Sequence, residues 1–118
     1  MQTEETIEIN EWVKTIPASD IPADGGVCIR HNGEQIALFN FARRGEYFAT
    51  QNLCPHKQQM VLSRGMLGDK AGTPKVACPF HKKQFSLETG ACISGDDYHL
   101  KTYPVKVENG FVYLGITG

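Results

Sequence analysis

The chain has 118 residues and a mass of 13.1 kDa, the size of one domain, which excludes an enzyme with separate cofactor and substrate domains. At 41% hydrophobic and 21% charged, a chain of this length buries roughly two-thirds of its unfolded surface, enough for a real core. A net charge of −1 and a pI near 6.4 exclude a chain-wide electrostatic match to nucleic acid. No run approaches the roughly 18 apolar residues that span a bilayer. The acidic start Met1-Gln2-Thr3-Glu4-Glu5 lacks the apolar stretch of a secretory signal. The expectation is one soluble, cytoplasmic domain over residues 1–118, with neither a membrane nor a nucleic-acid partner.

In chain order, Ile7 and Ile9 alternate with polar residues up to Trp12-Val13, the period-2 pattern of a half-buried strand, with Trp12 expected in the core. Pro17, Pro22 and Gly25-Gly26 then break the chain. Residues 27–30 and 35–39 flank Asn32-Gly33, a dipeptide whose tolerance of positive φ suits a type I′ hairpin. Residues 47–52 predict a further strand after the Arg43-Arg44-Gly45 turn, and residues 57–62 carry only weak helical potential. Near the end, residues 105–107 and 111–114 flank Asn109-Gly110 and repeat the hairpin device. The fold class is all-β, with short antiparallel strands closing as a sandwich or barrel. Between Asn52 and Phe85 the strand rhythm fails in a stretch rich in Gly, Pro and Lys, which predicts a long irregular functional insertion.

Charge is distributed unevenly around that insertion. Residues 54–85 hold Lys57, Arg64, Lys70, Lys75, Lys82 and Lys83 against Asp69 alone, a balance of +5. The preceding segment carries −4 and the following one −2. The basic stretch also holds the ligand-type residues, Cys54-Pro55-His56 and, 21 residues on, Cys78-Pro79-Phe80-His81. Thiolate and imidazole are strong metal ligands, and four of them complete a site. Two chemistries are open: one tetrahedral zinc, or a [2Fe–2S] cluster with two Cys on one iron and two His on the other. Zinc fingers pair like with like on each knuckle. Here each loop supplies one Cys and one His, which suits a two-iron rhomb that both loops must reach. Pro55 and Pro79 stiffen the loops.

Cys54-Pro55-His56 and Cys78-Pro79-Phe80-His81, followed by Phe85-Ser86-Leu87-Glu88-Thr89-Gly90, resemble the Rieske iron–sulfur domain over nearly the whole chain. The resemblance implies three antiparallel sheets with a [2Fe–2S] cluster at the tip of two loops, spanning about residues 54–85. By position it places Cys54 and Cys78 on the inner iron and His56 and His81 on the outer one. Within that family, Val61-Leu62-Ser63-Arg64-Gly65, Lys75-Val76-Ala77-Cys78-Pro79, residues 81–87 and Gly90-Ala91-Cys92 most resemble the small subunits of assimilatory NAD(P)H nitrite reductases. That likeness implies a one-electron relay in the reduction of nitrite to ammonium, in nitrate assimilation. It further implies a large partner subunit carrying FAD, siroheme and a [4Fe–4S] cluster. Most Rieske ferredoxins have Gly directly after the second ligand His, where this chain has Lys82.

High-potential members of the family carry an extra Cys in each loop and Ser and Tyr hydroxyls near the cluster. This chain has Phe80 at one such Cys position, no Cys in residues 57–59, and Lys83 and Phe85 at the hydroxyl positions. Fewer hydrogen bonds to the sulfurs lower the potential, so the expectation is the low end of the Rieske range, near about −150 mV. Lys57, Lys82 and Lys83 form a basic collar suited to an acidic partner. Alternatives are a freestanding Rieske ferredoxin serving an aromatic-ring dioxygenase, or a non-redox interaction module stabilised by zinc. Cys28 and Cys92 read as unreactive free thiols, His31 and His99 as surface residues, and Asp96-Asp97 as a solvated pair.

Overall fold

The computed structural model describes residues 11–54, 59–70, 72–79, 83–93 and 98–116, with the backbone alone for Arg43, Gln59 and Lys70. These residues form twelve strands and no α-helix: β1 Glu11–Pro17, β2 Gly25–His31, β3 Glu34–Phe41, β4 Glu46–Gln51, β5 Leu53–Cys54, β6 Gln59–Met60, β7 Met66–Lys70, β8 Thr73–Ala77, β9 Gln84–Ser86, β10 Thr102–Tyr103, β11 Val105–Glu108 and β12 Phe111–Ile116. Short 3₁₀ turns occupy Ala18–Asp20, Ala42–Arg44 and Leu62–Arg64. Every pairing is antiparallel, in sheets ordered β1-β12-β11, β10-β4-β3-β2, β5-β6 and β7-β8-β9. The resemblance implied three sheets; the fourth is the two-residue β5-β6 ladder, too short to join its neighbours. No helix among the described residues is long and apolar enough to cross a membrane.

Both Asn-Gly hairpins form as expected. Asn32 and Gly33 have φ of 51° and 82°, and Asn109 and Gly110 repeat those values, the positive pair that a type I′ turn requires. The β2-β3 ladder therefore stays in register from Gly25↔Asn40 to His31↔Glu34. Strand β3 is the central member, and Ile36, Ala37, Leu38 and Phe39 are all buried, because sheets or turns pack on both of its faces. Its side chains alternate between two cores. Ile36 and Leu38 join Ile21, Ala49, Val112 and Leu114 between the two larger sheets. Ala37, Phe39 and Phe41 join Cys54, Leu62, Val76, Cys78, Phe85, Leu87 and Leu100. One strand thus supports both the sandwich and the cysteine-bearing segments.

Several expectations need correction. The described residues of 54–85 are far from irregular: strands β5 to β9 fall in or at the ends of this stretch, too short and too interrupted by Gly68 and Pro74 to show a long alternation. The described part of the first strand runs on past Val13 to Pro17, which pairs with Phe111 beyond a register shift after Lys14. Ile7 and Ile9 lie outside the described residues. Trp12 is half-buried on the outer face of its sheet, with Lys106 Nζ 4.6 Å from the ring centroid. Val13, of opposite parity, faces Leu114 in the ladder, and Leu114 is buried. The described part of 57–62 is strand β6 leading into the 3₁₀ turn, because its backbone pairs across to β5.

Candidate metal centre

Each candidate cysteine lies at the end of a strand, Cys54 within it and Cys78 directly after it. Cys54 ends β5 and lies opposite Gln59 in β6, so the two strands bracket residues 55–58. Cys78 follows β8, and its N–H donates to the Lys83 carbonyl at 2.8 Å, which brackets residues 79–82. The sequence puts one candidate histidine in each of these two intervals. Cys54 and Cys78 are 0% and 1% exposed and belong to one cluster of buried residues, with Leu62, Val76 and Phe85. His56, His81, Lys57 and Lys82 lie outside the described residues.

The donor set matches what a Rieske cluster demands of its inner iron: two thiols from two loops, brought together in a water-poor environment by separate strand pairs. Phe85, the expected hydroxyl position, is fully buried in the same cluster and offers no donor. Cys28 and Cys92 are free thiols, as expected. Cys28 is exposed on β2, while Cys92 bridges Phe85 beside the second loop. His31 is half-buried beside its turn and His99 exposed, which fits surface roles. Asp96-Asp97 lies outside the described residues.

The Phe85-to-Gly90 motif turns out to be architectural. Ser86 Oγ accepts the N–H groups of Glu88 and Thr89, both at 3.1 Å, and holds the turn that follows β9. Gly90, at φ 84°, lies against the chain so closely that a Cβ would fall 2.1 Å from the Leu100 carbonyl oxygen. Asn52, two residues before Cys54, was not among the residues singled out from sequence, yet it is a buried polar hub. Nothing in the sequence marked it, since its burial and its partners come only with the fold.

The chain belongs to the Rieske-like [2Fe–2S] domain family, whose model matches residues 11–115. Within that class it is similar to nitrite reductase small subunits. It is 33% identical over 106 residues to the nitrite reductase (NADH) small subunit of Salmonella typhimurium, covering 90% of this chain and 98% of that one. The solution structure of the nitrite reductase [NAD(P)H] small subunit from Erwinia carotovora superposes with a TM-score of 0.78 at 31% identity, covering 93% and 85% of the two chains. A ferredoxin component of naphthalene 1,2-dioxygenase/salicylate 5-hydroxylase systems from Ralstonia is 36% identical over 104 residues, 87% of this chain and 93% of that one. The chain spans only 12% and 9% of two longer relatives, the Klebsiella oxytoca nitrite reductase [NAD(P)H] large subunit and the Emericella nidulans nitrite reductase [NAD(P)H].

Proposed function

We propose that the chain is the small electron-transfer subunit of an NAD(P)H-dependent nitrite reductase. The observation that carries this is the pair of buried cysteines, one ending β5 and one directly following β8, packed in a single cluster, with a histidine two and three residues further along the sequence. Cys54 and Cys78 would hold the inner iron of a [2Fe–2S] cluster, and His56 and His81 the outer one. When bound, such a cluster supplies reversible one-electron transfer. Reduction of nitrite to ammonium takes six electrons, so this subunit relays while a large partner carrying flavin, siroheme and [4Fe–4S] performs the reduction. Support comes from relatives of two kinds: separate small subunits matched along most of their length, and a short stretch of much longer nitrite reductases.

A ferredoxin role has its own support in the Ralstonia relative. Against it stands Lys82, where most such ferredoxins carry Gly after the second ligand His. Visible absorption and EPR of anaerobically purified protein, before and after dithionite, test the cluster, with His81→Ala alongside. The expected result is a red-brown protein with a reduced-state signal of average g below 2, altered or lost in the variant. A protein that stays colourless after reconstitution with iron and sulfide overturns the relay. A stable stoichiometric complex with a siroheme protein is the expected partner result; weak, transient association with an oxygenase would favour the ferredoxin instead.

A further inference from the structure

The 3₁₀ turn Leu62–Arg64 lies between the two cysteine segments and is fastened to both. On one side stands Asn52, only 2% exposed. Its N–H donates to the Gln35 carbonyl at 3.1 Å, and its own carbonyl accepts the Leu62 N–H at 3.1 Å. Its side-chain Oδ1 accepts the Ser63 N–H at 2.8 Å, while Nδ2 donates to Gln35 Oε1 at 3.0 Å and lies 3.5 Å from Cys28 Sγ. The backbone donor at Ser63 settles which end of the carboxamide is oxygen. Asn52 therefore ties the entry of the first loop to β2, to β3 and to the turn at once.

On the other side the turn exits through Gly65, where a Cβ would fall 2.5 Å from the Ala77 carbonyl oxygen and 2.7 Å from Val76 Cγ2. That contact lies immediately before Cys78. Between the two fastenings Leu62, fully buried, packs in the cluster that contains both cysteines. Gly26 completes the seat, since a Cβ there would fall 2.9 Å from the Ser63 carbonyl oxygen. A buried carboxamide with every group engaged is costly to disturb, because each partner left behind is an unsatisfied buried dipole.

We propose that Asn52 is a positioning residue that sets the placement of Cys54 relative to Cys78 through the Leu62–Arg64 turn. The inference rests on the cluster reading above and adds what holds the two thiols in register. The test compares Asn52→Leu with Thr50→Val in reconstituted protein. Thr50 is equally buried on β4, but its hydroxyl bonds only the neighbouring Gln51 carbonyl at 2.9 Å. Three signals are followed: cluster loss to an iron chelator by visible absorption, the reduced-state g values, and hydrogen exchange at the Leu62 and Ser63 amides in metal-free protein.

Asn52→Leu is expected to lose its cluster at least tenfold faster, with displaced g values and faster exchange at both amides. Thr50→Val is expected to stay within twofold of wild type in every signal. Should Asn52→Leu not fold, Gln35→Leu removes the carboxamide's anchor on β3 together with a 3.5 Å Cys28 Sγ contact, and at least threefold faster loss with displaced g values is expected. Release rates and g values equal to those of Thr50→Val would reduce Asn52 to an ordinary stabilising residue and overturn the proposal. A wild type that takes up no cluster overturns the underlying reading, and this inference with it.

Discussion

Tyr103 shows how a single side chain reports its setting. Burial, with the negative Glu34 beside it and a 3.3 Å hydrogen bond to Glu34 Oε1, pushes its phenol up from 10.0 to about 12. The folded state thus holds the proton more tightly than the unfolded chain. The stability this lends is fully present below pH 10 and is lost as pH rises towards 12. A tyrosinate absorbance titration should show one late-titrating tyrosine that is absent from Tyr103→Phe, and the stability of wild type relative to that variant should fall through the same window. The four cysteines differ in burial: Cys54 and Cys78 are buried, Cys92 half-buried against the same cluster and Cys28 exposed. Cys54→Ser and Cys78→Ser are each expected to abolish the visible spectrum, and Cys28→Ser and Cys92→Ser to retain it; loss of colour in either of the latter pair would redraw the site.

At the scale of elements, a tight turn after β9 brings Ala91 to Ile93 back to pair with Gln84 to Ser86. Ser86 is 5% exposed and its hydroxyl takes two backbone N–H groups. Gly90 then returns the chain, its N–H bonding the Ser86 carbonyl and its carbonyl accepting the Leu100 N–H at 2.7 Å. Gly90→Ala meets both a positive φ and a backbone atom that has no room to yield, so it should destabilise by more than about 3 kcal/mol. Ser86→Ala, which only orphans N–H groups, should cost about 1–2 kcal/mol. Urea unfolding of the two variants ranks them; the reverse order would mean that the hydroxyl, not the close approach, holds the turn.

For the whole molecule, the chief feature is the separation of charge. The stretch that carries both loops holds +5, and the rest of the chain −6. Charge concentrated in this way attracts an acidic partner, with a reach of a Debye length, roughly 10 Å at 0.1 M salt. Association with the partner subunit is expected to weaken at least tenfold between 0.05 and 0.5 M salt, and Lys57→Glu combined with Lys82→Glu should remove most of that dependence. Binding measured by titration at the two salt concentrations decides it; salt-independent affinity would point to an apolar interface instead.

What the amino-acid order determined unaided was local or chemical. Asn-Gly fixes its own turn through positive φ, so both hairpins were legible down to the residue, and the strands flanking each dipeptide, residues 111–114 among them, were read from it. The Cys and His spacing announced a two-loop ligand set because metal chemistry admits few residue types. Tertiary structure decided the rest. Strands β5 to β9 escaped notice because two to five residues are too few for a period to emerge, and their pairing is stabilised by partners elsewhere in the chain. Trp12 was misplaced because the side of a strand that faces the core depends on which sheet packs against it, here one that leaves its parity outward with Lys106. The role of Asn52 was invisible for the same reason: a carboxamide acquires meaning only when Gln35, Leu62 and Ser63, distant in sequence, are folded around it and shut out the water that would otherwise satisfy it.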